Sequence, residues 1–494
     1  MRDNALYSPW GIALIVGLAG CIVGMLVELE AFTPQSALVV CTVLLLAYLA
    51  VETYRLHRIF PERCLLNPAV LCSVVTFTLG FGVTNILYFL PEEVLSAVGQ
   101  APEVTPSMGK LMLLVLVGAM AMWLGYWSPL AANLSGWLSK RKWLNRVLRH
   151  EFSPRVWVLP VLVLVSLASR LIQISLGVYG YSADQDRLIE TASIRQYFNM
   201  TDGLGKLALV IAALRYYSPY PAARTTAWLV GLLAYEICFG FLSGFKSEVV
   251  MPLVIIGSCK YLRLGLVPWR LIALLPVAII AAYAVIEPFR AARYEETRFR
   301  GTSLTSIAET VLVAAVAEPG ATVDAEQVGT ALQFLSRTTM TYIASLGIEF
   351  ADARSLPEGS PAFMQDIFAA PFYALIPRAL WESKETSRHG LWYRTEVIGI
   401  GGPDEITSVA MSPFTYLYFA GGGIAVALGF LALGILQRAW AERFLVAGSA
   451  GALMVFLVGV RLFAIPDNVF YSLIVDSLRL VPAALALQYV IYWR

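Results

Sequence analysis

One polar stretch, IPRALWESKETSRHGLWYR (Ile376–Arg394), gathers side chains that could do chemistry. His389 can exchange a proton near neutral pH, which suits a general base. Glu396 follows two residues beyond the stretch, and Asp404 and Glu405 are rival carboxylate bases. Arg378, Lys384, Arg388 and Arg394 lie within the stretch, and Arg290, Arg293 and Arg337 precede it. Guanidinium forks match phosphate oxygens bidentately, so this set fits an anionic lipid head group, a diphosphate above all. Glu295, Glu296, Glu382 and Glu385 oppose that reading, because paired with them the cations form an ordinary solvated surface. Trp381, Trp392 and Tyr393 offer faces for stacking on sugar rings, or equally anchors at a membrane interface.

A second set of ionisable residues interrupts apolar sequence: Arg170 in SLASRLIQIS, Glu236 in LLAYEICFGF and Arg461 in LVGVRLFAIPD, with Lys246 near the end of another apolar run. Charge inside a membrane segment is a functional hypothesis in itself, against snorkelling or a structural ion pair. Arg170 and Lys246 therefore join the candidate diphosphate ligands. The chain has no GxxxxGK[ST] and no HExxH, and its outer loops hold no convincing DxD, so neither a metal nor any other cofactor is expected. The six cysteines form no CxxC and read as small buried hydrophobes rather than disulfides or zinc ligands.

The elements that must position these groups are membrane helices. Of 494 residues, 58% are hydrophobic and 14% charged, with a mean hydropathy of +0.69. Apolar runs of about 20 residues, the length that crosses a bilayer, recur throughout. The expected fold is an all-α polytopic membrane protein, and a nucleic-acid partner is not indicated by a net charge of +2. About twelve spans are predicted, at 10–29, 36–53, 66–90, 109–132, 156–178, 204–218, 226–243, 248–262, 270–288, 409–436, 444–463 and 473–491. The first reads as a span, not as a cleaved signal, because its apolar run is too long. Arginine and lysine crowd alternate short loops (Arg55 to Arg63, Lys140 to Arg149, Arg215 to Arg224, Lys260 to Arg270, Arg438 to Arg443), which places those loops and both termini in the cytoplasm.

The chain thus divides into spans one to nine (1–289), a large extracytoplasmic loop (290–408) and spans ten to twelve (409–494). The loop is too long for a plain connector. Ser303–Glu318 and Gln327–Phe350 within it carry helical patterning, with Arg337 in the middle of the second.

FYALIPRALWESKE (Phe372–Glu385), followed by SPFTYLYFAGGGIAVALGFLALG (Ser412–Gly434), resembles the O-antigen polymerase (Wzy-type) group of oligosaccharide repeat-unit polymerases. Tyr416, Phe419 and Gly421–Gly423 match the group's aromatic and glycine-rich helix opening. FLSGFKSEVVMPLVIIGSCKYL resembles its segment at the outer edge of a helix, with Lys246 where arginine is usual; Glu385 stands where proline is usual. Lys246, Arg378 and Lys384 match by motif. Arg170, Arg290, Arg293, Arg337 and His389 are candidates by residue chemistry alone.

The resemblance implies a bacterial inner-membrane glycosyltransferase working at the periplasmic face in lipopolysaccharide or exopolysaccharide synthesis. A hydroxyl of one polyprenyl-diphosphate-linked repeat unit attacks the anomeric carbon of a growing lipid-linked glycan, and the lipid diphosphate leaves. It also implies a chain-length regulator as partner. Two alternatives stand: an O-antigen ligase that hands the glycan to lipid A-core, and a lipid-linked glycan flippase or transporter.

Overall fold

The computed structural model describes residues 9–28, 32–61, 64–97, 103–148, 157–180, 191–218, 223–275, 277–279, 281–282, 286, 330–353, 356–357, 359–376, 389–400, 409–445, 458–459 and 470–492. Among these residues there is helix and no strand. Eight of the helices are long and apolar enough to cross a membrane: Pro9–Val27, Pro34–Ile59, Pro68–Phe89, Pro106–Trp127, Val158–Ser175, Arg224–Ser243, Pro413–Phe444 and Phe470–Ile491. The protein is an all-α, multi-pass membrane protein. Of the remaining expected spans, 204–218 overlaps the helix Ala192–Tyr216, which stops two residues before that span ends, and 248–262 falls inside Lys246–Leu264. Seven of the 19 residues of 270–288 and 16 of the 20 residues of 444–463 lie outside the described residues. All six cysteines are free.

The chain forms two compact units. The first comprises 1–148, 332–447 and 455–485; the second comprises 149–331, 448–454 and 486–494.

In the first unit, helices begin where the sequence sets a polar residue before proline: Thr33-Pro34, Asn67-Pro68, Thr105-Pro106, Ser128-Pro129 and Ser412-Pro413. Proline at the first helical position loses no hydrogen bond, and the preceding side chain accepts from an unpaired amide. Thr33, Asn67, Ser128 and Ser412 all do so. Pro413–Phe444 packs along Pro106–Trp127, and Pro34–Ile59 and Thr341–Ala353 pack on the same helix. Gly434 lies directly over the carbonyl of Met122, and Gly125 over that of Leu431, so a Cβ at either place would overlap backbone. Small residues allow this approach, which drives helix association where lipid removes the hydrophobic incentive. Phe77, Phe81, Phe414 and Phe430 fill the adjoining core with ring centroids 4.5–5.6 Å apart.

Among the described residues, two spans depart from plain α-helix by a π and 3-10 stretch or a glycine break. The third runs from α-helix (Pro68–Cys72) through a π turn (Ser73–Leu79) to a 3-10 segment (Val83–Phe89). Irregular backbone at membrane depth needs protein partners. Thr78 donates to the Ser73 carbonyl, Thr84 to that of Leu79, and Asn85 to that of Phe81, at 2.7–2.8 Å. The Pro413–Phe444 helix is broken at Gly421–Gly422, where Gly422 has φ 65°, ψ −157°. That region is open essentially to glycine alone.

The loop segment Gln327–Phe350, expected to be helical from its patterning, forms two helices in its described part, Thr330–Thr338 and Thr341–Ala353. The break is tertiary. Met340 gives its amide to the Gly80 carbonyl at 2.9 Å, and Thr341 donates to Asn85 Oδ1 at 2.7 Å. Both bonds tie the loop to the irregular third span. Ser303–Glu318 lies outside the described residues.

In the second unit, Val158–Ser175 packs on Ala192–Tyr216, which also contacts Ala223–Ser243 and Lys246–Leu264. Its interior is polar, as described next.

Candidate functional site

In the first unit the helix Phe363–Leu375 follows the segment Pro361-Ala362 and packs on Pro413–Phe444. Its Phe363 and Ala370 point inward and are buried. Asp366 shares that inner face, three residues after Phe363, and the side chain keeps 26% of its surface exposed. His389 opens the short helix His389–Trp392 and is 4% exposed. Its Nε2 lies 2.7 Å from Asp366 Oδ2.

A carboxylate can only accept, so Nε2 carries the proton of this bond and the lone pair of a neutral ring sits on Nδ1. Imidazole held by a carboxylate in one orientation and tautomer is the arrangement of a general base.

The pair has an aromatic shell. Phe363, Tyr416 and Tyr471 stand 5.3–5.6 Å from the His389 ring, centroid to centroid. Phe363 stacks on Phe419 at 5.0 Å, and Trp392 meets Phe350, Phe363 and Phe419 edge-on at 5.4–6.1 Å. Tyr416 donates to the Phe363 carbonyl at 3.3 Å. Arg479 donates to the carbonyls of Tyr373 and Ala374 at 2.9 and 3.3 Å, closing the end of the Phe363–Leu375 helix. At the rim, Lys110 bonds Asp352 at 2.6 Å and Tyr418 donates to the same carboxylate at 2.7 Å.

The candidates of the sequence fall in different places. His389 is in the pair. Trp392 is half-buried within the aromatic cluster. Tyr393, expected to stack on sugar, is fully buried and offers no ring face. Its hydroxyl donates to the Ile343 carbonyl and fastens the π turn Tyr393–Ile398 to the helix Thr341–Ala353. Burial pushes this phenol above its ordinary range. Glu396 is exposed on that turn, Arg394 is buried, and Arg337 is exposed in the last turn of Thr330–Thr338. Arg290, Arg293, Arg378, Lys384, Arg388, Trp381, Asp404 and Glu405 lie outside the described residues, and so does Arg461.

Arg170 belongs to the second unit, where it is 4% exposed and bonds Glu236 at 2.9 Å. Its guanidinium lies 4.9–5.0 Å from the Tyr235 and Phe239 ring centroids. Arg170 Nε and Nη1 and Glu236 Oε1 have no further hydrogen-bond partner among the described residues. Beside them Gln173 donates to both oxygens of Asp202 at 2.9 Å, and Ser169 donates to Asp202 at 3.2 Å. Lys246 begins the Lys246–Leu264 helix, whose Glu248 pairs with Lys206 at 2.5 Å.

Sequence reasoning missed Asp366, Tyr416 as a wall of the histidine site, Tyr471 and the acid Asp202. A signal for Asp366 exists: it is the one charged residue in FMQDIFAAPFYAL, three positions from an inward phenylalanine. Among the described residues no group of three or more His, Cys, Asp or Glu side chains could hold a metal ion.

Fold and site together define a multi-pass helical membrane protein with an imidazole–carboxylate pair in an aromatic shell. Residues 165–476 match the family described as Domain of unknown function (DUF8712). The match takes in more than half of the chain, which belongs to that family. No curated protein and no solved structure matches the chain.

Proposed function

We propose that the protein is a glycosyltransferase polymerising polyprenyl-diphosphate-linked oligosaccharide repeat units at the outer face of a bacterial inner membrane. The observation that carries this reading is the 2.7 Å contact between His389 and Asp366, two segments of the expected outer loop brought together against Tyr416 and Phe419 of the resembling helix. In this reading about twelve spans place both termini in the cytoplasm and the loop in the periplasm. His389 takes the proton of the acceptor hydroxyl as its oxygen attacks the donor's anomeric carbon. The anomeric C–O bond to the diphosphate breaks, and Arg337, Arg378 and Lys384, which belong with His389 to the first unit, receive the developing charge. Glu396 is the alternative base. Arg170 is already balanced by Glu236, so the clamp is assigned to the other cations. Trp392, with Trp381, would hold a sugar ring. No metal or other cofactor takes part.

A ligase differs only in its acceptor, lipid A-core. A lipid-linked glycan transporter is favoured by one observation, the break at Gly421–Gly422, since discontinuous spans line transporter binding sites. The test is purified protein with a synthetic polyprenyl-diphosphate repeat unit and EDTA. A ladder of products, lost in a folded His389→Ala variant, supports the polymerase. Transfer only on adding lipid A-core makes it a ligase. No transfer to either acceptor, with ligand-dependent alternation of access, makes it a transporter.

A further inference from the structure

The outer face of the Phe363–Leu375 helix has no covering element among the described residues. Met364, Phe368, Phe372 and Leu375 are 41, 72, 66 and 70% exposed, and Ile376 just beyond the helix is 37% exposed. Their spacing puts them on one side of the helix, within about a third of a turn of one another at 3.6 residues per turn. Phe363, Asp366 and Ala370 occupy the other side. So large an uncharged stripe needs an apolar neighbour.

Three observations say which neighbour. First, the stripe continues a surface of a span: Met364 Cε lies 3.2 Å from where a Cβ would stand on Gly421, and Ile424 and Leu428 beyond it are 76 and 61% exposed. On a membrane-crossing helix such residues face lipid. Second, the helix has 13 residues, too short to cross a bilayer and of the length of interfacial segments. Third, its last carbonyls, at Tyr373 and Ala374, are taken by Arg479 rather than left to solvent, as a helix end away from water requires.

We propose that the Met364–Phe368–Phe372–Leu375 face lies in the acyl chains of the bilayer. Asp366, on the opposite side of the same helix, and His389 bonded to it then sit at the membrane surface, and the site opens to groups carried on a lipid. The inference does not depend on the reaction, and it holds equally for a polymerase, a ligase or a transporter.

Spin labelling tests it. The exposed Cys21 and Cys238 are replaced by serine, a nitroxide is attached in turn at Phe368→Cys and Phe372→Cys, and the full chain is placed in phosphatidylethanolamine–phosphatidylglycerol liposomes. Lys140→Cys, exposed beyond the Pro129–Ser139 helix, reports the aqueous phase. Both positions are open, so labelling leaves the fold intact, which gel filtration and melting temperature check. The expected result is a collision ratio of oxygen to a soluble nickel chelate above one at Phe368 and Phe372, and below one at Lys140. A ratio below one at either phenylalanine position makes the face water-exposed and overturns the proposal. A label shielded from both reagents overturns it too, since the face is then covered by protein, such as a second copy of the chain.

Discussion

Asp366→Asn is the sharpest test of the histidine pair. The carboxylate does two things for His389: it fixes the tautomer with the lone pair on Nδ1, and it stabilises the imidazolium formed when the ring takes a proton. At 2.7 Å the charge–charge part of the second effect is about 6 kcal/mol at an effective dielectric of 20. Asp366 keeps 26% of its side chain exposed, so solvent screens part of this. General-base catalysis is worth about two to four decades, so losing the carboxylate that orients the base should cost about two decades in kcat. Asparagine is nearly isosteric but can donate through its amide and hold the ring in the wrong tautomer. The assay is product-ladder formation by purified protein, with gel filtration and melting temperature as fold checks. His389→Ala should lose about two to four decades. Asp366 acts through His389, so the double variant should be no slower than His389→Ala alone. Asp366→Glu should recover part of the rate. A folded Asp366→Asn protein within threefold of wild type would refute the reasoning. So would a double variant in which the two losses multiply.

Other substitutions probe the frame. Gly434→Leu should lower the detergent melting temperature strongly, by more than the roughly 1–3 kcal/mol of ordinary overpacking, because the added side chain meets the Met122 backbone and not a movable side chain. Arg170→Ala or Glu236→Ala should each cost about 3–5 kcal/mol by leaving a buried charge unpaired, while the double replacement Arg170→Met with Glu236→Leu recovers most of it. Tyr393 gives a pH dependence. Burial raises its folded pKa above the unfolded value of about 10, so the stability it contributes is intact below pH 10 and falls as pH rises toward the folded value. Melting temperatures at pH 9 and 11 should fall further for wild type than for Tyr393→Phe.

The sequence made the spans legible because lipid imposes length and hydropathy on each of them. The helix starts escaped that reading: the expected spans begin at 36, 66, 109 and 409 where the helices begin at Pro34, Pro68, Pro106 and Pro413, each just after a polar residue that marks the mouth of a helix. What escaped besides was everything decided by tertiary contact. The π and 3-10 backbone of the third span is held by Asn85 and Thr84, residues that read in sequence as minor polar interruptions. The division of the loop helix at Thr339–Met340 exists because Gly80 offers a carbonyl from far away in the chain. Asp366 was invisible as a partner of His389 because 23 residues separate them and nothing in that spacing requires contact. The cationic character of Ile376–Arg394 pointed to a solvated surface or an anion clamp. Its described end instead turns inward, with His389, Tyr393 and Arg394 all buried.

That inward turn bears on the choice between transfer and transport. A transporter needs a route that opens alternately, and the break at Gly421–Gly422 is where Pro413–Phe444 could bend. Yet the half of that helix before the break is fixed at its start. Ser412 caps it, Thr415 donates to the Ala344 carbonyl at 3.0 Å, Tyr416 bonds Phe363, and Tyr418 bonds Asp352. Those contacts join it to Thr341–Ala353 and to Phe363–Leu375, the helix that carries Asp366, and the Tyr416 ring packs on His389 at 5.3 Å. Motion at the glycines would therefore move the half after the break, and leave the His389–Asp366 pair attached to the half before it. Gly422→Ala separates the two roles: strain of about 1–3 kcal/mol at φ 65° should straighten or destabilise the bend. If the break serves only to shape a fixed site, ladder formation and melting temperature should fall together. A protein that keeps its melting temperature and its single-turnover transfer, but fails to release product, would assign the glycines to movement.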